Sequence, residues 1–470
     1  MSRFPKLTRR AAIEFSVSAA LLSMLACGES GGESGHRGFP DFSAESGLDR
    51  PNVLLVLIDA LRRDHLGTYG YPLPTTPGID ILAAESTVFT RGYSHSTWTK
   101  PSVATLFTSL YPDPHGQGRV GFEGEAGFQT DVLPKRLTTL AERFKRAGYR
   151  TGSIGTNVHI QKKTGFAQGF DHFYNKRLTV AYRVNELVKE WFESGDQQVP
   201  FFAYVHYMDV HFPYNRQLPD ETGRFGSVRT TPPVPMHWTQ VSKWAEKHLN
   251  PSNLAALIAR YDREIAYTDR AFGELWAWLG ETGRLENTIV VLVADHGEGF
   301  NEHGELQHGY APHEEVTAIP FMIRLPPVYR LEPGRSHEMV GLVDVMPTLL
   351  DLVGLSVPKN AQGRSLVPLL AGEPLRERPI YIEGPGIRGL RGSTHALFSP
   401  EEGEDQCFDN QADPLEQSPL EAPLPEICAR MAAALEGLAA QFELIAEGEE
   451  SPVTLDAEEV ETLRALGYLD

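Results

Sequence analysis

The stretch that decides the fold is NVLLVLID, which runs from Asn52 to Asp59. Six apolar residues follow one another without polar alternation, and such a run is typical of a strand buried on both faces of a parallel sheet. Asp59 ends the run abruptly. Because ligands bind at the carboxyl ends of the strands in an open parallel sheet, the sequence predicts that Asp59 lies at a binding site.

Two further apolar runs end in the same way. One is PFFAYVHYM, Pro200 to Met208, and the other is a predicted strand over Ile289 to Val293. Each is followed by acidic and histidine residues, Asp209 and His211 after the first and Asp295 and His296 after the second. Amphipathic stretches with helical spacing separate these runs, most clearly over residues 253–283. The alternation predicts an α/β fold with a mostly parallel central sheet flanked by helices.

The bulk composition limits the classes of partner. The chain has 470 residues and a formal net charge of −19 at pH 7. This charge argues against nucleic acid as a partner, because an acidic chain repels phosphate backbones. It allows an anionic substrate, since a bound metal ion outweighs the distant field of the chain.

The first residues have the pattern of an export signal. Arg3, Lys6, Arg9 and Arg10 precede an apolar run that ends in MLAC at Cys27. The ending resembles a bacterial lipobox, which predicts that Cys27 carries a lipid anchor and that the protein is a periplasmic or cell-surface lipoprotein. Simple signal cleavage near Ala26 is the alternative.

The sequence predicts four regions along the chain. We expect a lipoprotein-type signal peptide over residues 1–27, a Gly/Ser-rich flexible tether over 28–50, a large catalytic domain over 51–374 and a smaller C-terminal α+β lobe over 375–470. Cys407 and Cys428 lie in that lobe. In an oxidising compartment they form either a disulfide or two buried thiols, and the sequence leaves both open.

The acids and histidines at the strand ends predict a metal site. Carboxylate oxygens and an imidazole nitrogen suit Zn, Mn or Ca, and the sequence does not select among them. Taken singly, each residue has an ordinary structural explanation, because Asp commonly caps helices and His commonly makes structural hydrogen bonds. Because these acids and histidines share the ends of three predicted strands, a metal site is favoured over separate structural roles.

The stretch HSTWTKPSVATLFTSLYP, His95 to Pro112, poses a separate question about Thr99. Threonine is a favoured helix N-cap, and Pro101 follows where a missing N–H costs little. Thr99 also suits a nucleophile at a helix N-terminus, where an anion is stabilised. We predict that Thr99 both caps the helix and attacks the substrate.

Several ordered blocks resemble the sulfatase family of the alkaline phosphatase superfamily. They include NVLLVLIDALRRDHLGTYGY, TKPSVATLFTSLYP, ADHGEGFNEHGELQHG, GLVDVMPTLLDLVGL and the closing LRALGYLD. The resemblance extends from about Asn52 to the C-terminus and implies the alkaline-phosphatase-like fold.

The resemblance also implies roles for individual residues. One divalent metal ion would be held by Asp59, Thr99, Asp295 and His296. The catalytic residues would be Thr99 as the nucleophile, His211 against the transferred group and His308 at the leaving oxygen. Candidate substrate-binding residues are Lys100, Asn157 and His303, while Asp64, Asp209, His206 and His115 stay open as further members of the site.

The chain departs from the family pattern in ways that bear on its chemistry. Thr99 replaces the Cys or Ser that becomes formylglycine, Val103 replaces the signature Arg, and Ala60 replaces the second acid of the first segment. These departures resemble relatives with a threonine nucleophile. We therefore expect an exported hydrolase of phosphate, phosphonate or sulfate esters, on a glycan or lipid headgroup. The alternatives are a phospho-headgroup transferase and a non-catalytic relative that binds an anionic glycan.

Overall fold

The structure is a computed structural model, and it describes residues 39–42, 49–118, 122–124, 127–176, 179–215, 224–445 and 452–465. The predicted signal peptide lies outside the described residues, as does most of the predicted tether. Within the described ranges, no helix is both long and apolar enough to cross a membrane.

The strands begin and end as follows: β1 Asn52–Ile58, β2 Thr87–Tyr93, β3 Phe122–Gly124, β4 Gly127–Thr130, β5 Arg150–Gly155, β6 His172–Asn175, β7 Phe201–Tyr207, β8 Thr288–Val293, β9 Gly299–Phe300, β10 Leu306–Gln307, β11 Ala318–Ile319, β12 Phe321–Arg324, β13 Gly334–Gly341, β14 Ile380–Gly384, β15 Ile387–Arg391, β16 His395–Pro400, β17 Gln406–Asp409 and β18 Val453–Thr454.

The α-helices are α1 Pro77–Ala84, α2 Thr99–Thr108, α3 Pro112–His115, α4 Leu140–Arg146, α5 Ala181–Ser194, α6 Trp238–His248, α7 Pro251–Glu281, α8 Glu314–Thr317, α9 Val345–Leu352, α10 Val367–Leu370, α11 Glu426–Ile445 and α12 Ala457–Ala465.

A central sheet organises the large domain. Its strand order is β11-β2-β12-β8-β1-β7-β5-β6, with β13 paired to β2. The neighbours β8, β1, β7, β5 and β6 all run parallel, whereas β12 is antiparallel to both β8 and β2. The predicted mostly parallel α/β sheet is confirmed.

Strand β1 lies at the middle of this sheet and in the middle of the core. From Val53 to Ile58 every side chain is at most 1% exposed. Helices cover both faces of a doubly wound sheet, which is why the strand needs apolar residues at consecutive positions. The strands that the sequence predicted before Asp59 and Asp295 therefore occupy adjacent places, with β7 on the other side of β1.

The C-terminal lobe is a small antiparallel sheet with one helix packed against it. Its strands pair in the order β14-β15-β16-β17, and α11 contributes buried residues such as Leu435 to a shared apolar cluster. Cys407 on β17 and Cys428 on α11 form a disulfide with a Cα–Cα distance of 6.0 Å. The bridge ties helix to sheet and resolves the alternative that the sequence left open.

We expect this disulfide to contribute measurably to stability. Replacing Cys407 and Cys428 by serine should lower the free energy of unfolding by about 3 kcal/mol, because the bridge closes a loop with a sequence separation of 21 residues. Urea denaturation of the parent and the variant measures the difference. Reduction of the parent should reproduce the loss, and equal denaturation midpoints for all three forms would contradict a stabilising bridge.

Candidate active site

Three adjacent strand ends build the site. Asp59 directly follows β1, while Asp295 and His296 follow β8 after a single alanine. His211 follows β7 four residues beyond its end. Because β8, β1 and β7 are parallel neighbours, their carboxyl ends lie at one edge of the sheet and bring these side chains together.

Asp59, Asp295 and His296 form a group that can hold a metal ion. All three are fully buried, and one candidate ligand atom from each lies within 4.8 Å of the others. Oδ1 of Asp59 and Oδ2 of Asp295 are buried, and neither has a hydrogen-bond partner within the described part of the chain. Buried carboxylate oxygens are normally paired, so two such atoms side by side fit a cation.

The remaining polar atoms of this group are held by protein. Oδ1 of Asp295 accepts the backbone N–H groups of Ala60 at 3.1 Å and His296 at 3.0 Å. Nδ1 of His296 contacts the carbonyl of Gly297 at 2.8 Å, which directs Nε2 toward the cluster. Ala60 has a φ of +55°, a left-handed conformation that is uncommon for alanine and is found at functional sites. The backbone is thus shaped to hold Asp295.

The pKa shifts of the two acids have opposite signs. Burial by itself would raise the pKa of Asp59, but the hydrogen bond from His206 and the charges of nearby histidines hold this pKa below its ordinary value. Burial and the charge of Asp59 raise the pKa of Asp295. One buried carboxylate therefore disfavours ionisation of the other, and a divalent cation between them would favour both ionised forms.

Thr99 lies at the first position of α2, and the prediction that it caps this helix is wrong. Trp98 occupies the N-cap position and provides no side-chain capping bond. The Oγ1 atom of Thr99 lies 3.3 Å from Nε2 of His296 and 3.5 Å from Oδ2 of Asp59. The hydroxyl therefore joins the acid and histidine cluster because its residue begins the helix at the edge of the sheet.

Two further side chains fix the second oxygen of Asp59. Nδ2 of Asn157 donates to Oδ2 at 2.8 Å, and Nε2 of His206 lies 3.0 Å from the same atom. The hydroxyl of Tyr204 contacts the other nitrogen of His206 at 3.0 Å. Asn157, which the sequence predicted to bind substrate, thus touches a candidate metal ligand. His206, left open by the sequence, belongs to the same contact network.

His308 and His211 adjoin the cluster on one side. The ring centroid of His308 lies 4.0 Å from that of His296 and 4.8 Å from that of His211. Burial lowers the pKa of both His308 and His211. The two residues that the family resemblance assigned to the reacting group therefore lie together beside His296.

Sequence reasoning missed the groups that hold His308. Oε1 of Glu298 contacts Nδ1 of His308 at 2.9 Å, and the hydroxyl of Tyr214 donates to Oε2 of Glu298 at 2.7 Å. Glu298 follows His296 by two residues and is fully buried. The signal available in the sequence was an acidic residue two positions after His296, in a segment already assigned to the site.

Lys100 and His303 make other contacts than those expected. Nζ of Lys100 donates to Oγ1 of Thr130 at 2.7 Å and to the carbonyl of Asp131 at 2.8 Å, and the residue is fully buried. His303 contacts Glu315 at 2.7 Å and the carbonyl of Glu416 at 2.9 Å. Lys100 thus fastens the segment after Thr99 to β4, and His303 connects the large domain to the C-terminal lobe.

Of the other candidates that the sequence left open, Asp209 lies beside the candidate site, whereas Asp64 and His115 make contacts elsewhere. Asp209 is buried at the end of β7, in the same part of the sheet as His211. Asp64 is paired with Arg62 at 2.8 Å and its side chain is 61% exposed. His115 lies 3.1 Å from both Oγ1 of Thr105 and the carbonyl of Pro101, which places it along α2.

Known proteins are similar to this chain in sequence. A sequence model of the Sulfatase family matches residues 51–355, which is more than half of the chain. The chain is 27% identical over 410 residues to the ulvan-active sulfatase of Formosa agariphila, covering 79% of this chain and 77% of that protein.

Solved structures show the same fold. The phosphonate monoester hydrolase of Agrobacterium radiobacter superposes with a TM-score of 0.67 at 20% identity, covering 87% of this chain and all of the other. A protein solved in complex with its substrate, D-glucosamine-2-N,6-O-disulfate, gives a TM-score of 0.65 at 20% identity, with 84% and 98% of the two chains covered. Both comparisons concern the fold alone.

The geometry predicts the effect of removing one carboxylate from the cluster. Asp295→Asn should weaken binding of Mn²⁺ or Zn²⁺ by more than about 100-fold, since even partners of metal ligands change affinity by 10- to 100-fold. The measurement is metal content after dialysis, together with the metal-dependent rise of the thermal midpoint. Asp64→Asn is the matched control and should bind metal like the parent. Equal metal binding by Asp295→Asn and the control would contradict the site.

Proposed function

The chain belongs to the sulfatase family of the alkaline phosphatase superfamily, and from this membership we propose how its buried cluster cleaves an ester. It is a hydrolase of sulfate or phosphate ester bonds. In our proposal Thr99 is the nucleophile, and a single divalent metal ion is held by Asp59, Asp295, His296 and the Thr99 hydroxyl.

One observation carries the proposal. The hydroxyl of Thr99 lies within 3.5 Å of both His296 and Asp59, whose neighbouring carboxylate and imidazole atoms are those suited to a cation. A divalent cation bound there would lower the pKa of a coordinated hydroxyl and stabilise negative charge on the transferred group. Thr99 also begins α2, where the helix N-terminus favours an anion.

The protein residues then have distinct tasks. Oγ1 of Thr99 gives up its proton and attacks the sulfur or phosphorus atom, so that a bond to threonine forms as the bond to the leaving oxygen breaks. The departing oxygen takes up a proton and leaves as the alcohol. Water later cleaves the threonine ester and restores the hydroxyl. In our proposal His211 contacts the transferred group and His308 the leaving oxygen, and their positions beside His296 support these roles.

Asn157 and His206 act on the substrate indirectly in this proposal. Both hold Oδ2 of Asp59, and thereby leave Oδ1 to face the cation. Fixing a ligating carboxylate in this way is the usual role of groups that surround a metal site. Tyr204 in turn fixes the ring of His206.

The proposed substrate is an anionic ester on a glycan. A relative named as an ulvan-active sulfatase supports this class, because its name refers to a polysaccharide. Phosphonate monoester hydrolases share the fold, so phosphonate and phosphate esters belong in the same test. Which of these esters is preferred is decided by the measurement below.

We also propose that the protein is exported and anchored to a membrane only through a lipid on Cys27. The basic residues and apolar run before Cys27 support export. The Cys407–Cys428 disulfide also supports it, since such bridges persist in oxidising compartments.

Substitution of Thr99 tests the proposed function. We expect the metal-loaded protein to turn over at least one nitrophenyl ester among a sulfate, a phosphate monoester, a phosphate diester and a phosphonate monoester. Thr99→Ala should reduce that turnover by about 10³-fold or more, as is usual when a covalent nucleophile is removed. Thr99→Ser should retain part of the activity because its hydroxyl occupies the same place.

Thr105→Ala is the matched control. Thr105 is a buried threonine of the same helix whose hydroxyl contacts His115, and this variant should keep parental turnover. Full activity of Thr99→Ala would contradict the proposed nucleophile. Bound metal without turnover of any ester would favour the transferase or the glycan-binding alternative.

A further inference from the structure

The last described segment of the chain, residues 452–465, returns to the edge of the large domain. Val453 and Thr454 pair antiparallel with Thr130 and Gln129 of β4. The backbone N–H of Leu455 adds a hydrogen bond of 2.8 Å to the carbonyl of Phe128. We call residues 452–465 the closing segment.

The closing segment folds through its own local contacts. Asp456 precedes helix α12, and its carboxylate accepts the N–H of Glu459 at 2.9 Å, while Glu459 accepts the N–H of Asp456 at 2.7 Å. This reciprocal pair is a capping box. Glu459 also forms an ion pair with Lys163 in the large domain.

Two buried leucines attach the closing segment to the large domain. Leu455 and Leu463 form an apolar cluster with Trp98 and Val158, and Met208 packs against it. The three residues on the other side of this contact come from separate loops of the large domain. Burial of the two leucines therefore helps to keep the segment in place.

Each of those three loop residues is next in sequence to a residue of the candidate site. Trp98 precedes Thr99, Val158 follows Asn157, and Met208 precedes Asp209.

The strand that pairs with the closing segment also contacts the residue after the nucleophile. Thr130 pairs with Val453, and its hydroxyl accepts a hydrogen bond from Lys100. The closing segment thus contacts Trp98 directly and is linked to Lys100 through Thr130. Trp98 and Lys100 are the two sequence neighbours of Thr99.

We propose that the closing segment forms a wall of the substrate site and limits the size of the alcohol portion of the ester. This inference rests on the proposed hydrolase function. Leu455 and Leu463 hold the segment against Trp98 and Val158, so its bulk takes up space beside the loops that carry Thr99 and Asn157. A short glycan that carries the ester fits beside the wall, whereas a polymer reaches Thr99 only when the segment moves away.

The inference is tested with Leu455→Ala/Leu463→Ala, which removes both buried leucines from the wall. The substrates are the nitrophenyl ester that the parent turns over best and the same ester class on dextran. We expect kcat/KM for the dextran ester to rise on the order of tenfold through a lower KM, because the binding-competent open form becomes more populated. The ratio of the two kcat/KM values, dextran ester over nitrophenyl ester, is the quantity that reports the wall, and it should rise by the same order.

Leu435→Ala is the matched control, since it removes a buried leucine from α11 in the C-terminal lobe. It should show no selective gain on dextran. If the double variant fails to fold, Lys163→Met removes only the ion pair to Glu459 and should give a smaller gain of the same kind.

The outcomes separate the two proposals. Equal losses on both substrates, a selective loss on dextran, or no change in either would overturn the size-limiting wall while leaving the Thr99 mechanism standing. If Thr99→Ala keeps full turnover, the proposed nucleophile fails, and a selective gain on dextran would still support the wall.

Discussion

Two carboxylates buried side by side are the constraint on which the site depends. Asp59 and Asp295 end adjacent parallel strands inside an apolar sheet, and both are fully buried. Like charges repel strongly where water is excluded, and an unpaired buried charge costs more than any single hydrogen bond returns. Together with burial, the charge of Asp59 raises the pKa of Asp295, and this shift expresses that repulsion. A divalent cation between them is the arrangement in which both acids are ionised at low cost.

The hydrogen bonds around Asp59 and Asp295 restrain the orientation of both carboxylates. Each acid keeps one oxygen free of protein hydrogen bonds in the described structure, because its other oxygen is held: by Asn157 and His206 at Asp59, and by two backbone N–H groups at Asp295. The two unpaired oxygens and Nε2 of His296 then face a common point. Thr99 reaches the same place because α2 begins there. The fold therefore holds the candidate metal ligands in fixed orientations.

The sequence could predict those features that depend on neighbours along the chain. The apolar runs predicted the central strands, and the residues that follow them predicted the site, because a parallel sheet places strand ends together. Contacts between distant segments could not be read in this way. Lys100 is fastened to Thr130, His303 to Glu416 in the C-terminal lobe, and Cys407 to Cys428, and each pairing depends on how separate elements pack. The sequence left His206 open as a member of the site, and its contact with Asp59 depends on the pairing of β7 with β1.

Thr99 illustrates why local pattern and tertiary position lead to different conclusions. Its sequence context predicts a capping threonine, yet the helix begins one residue earlier than that pattern requires, with Trp98 at the cap. Trp98 is buried in the cluster that also contains Leu455 and Leu463. Thr99 therefore occupies the first helical position next to a buried aromatic residue, and its hydroxyl lies near Asp59 and His296 instead of capping the helix. More than 350 positions separate Thr99 from Leu455 in the sequence, so the contact between Trp98 and the closing segment could not be predicted from the local pattern.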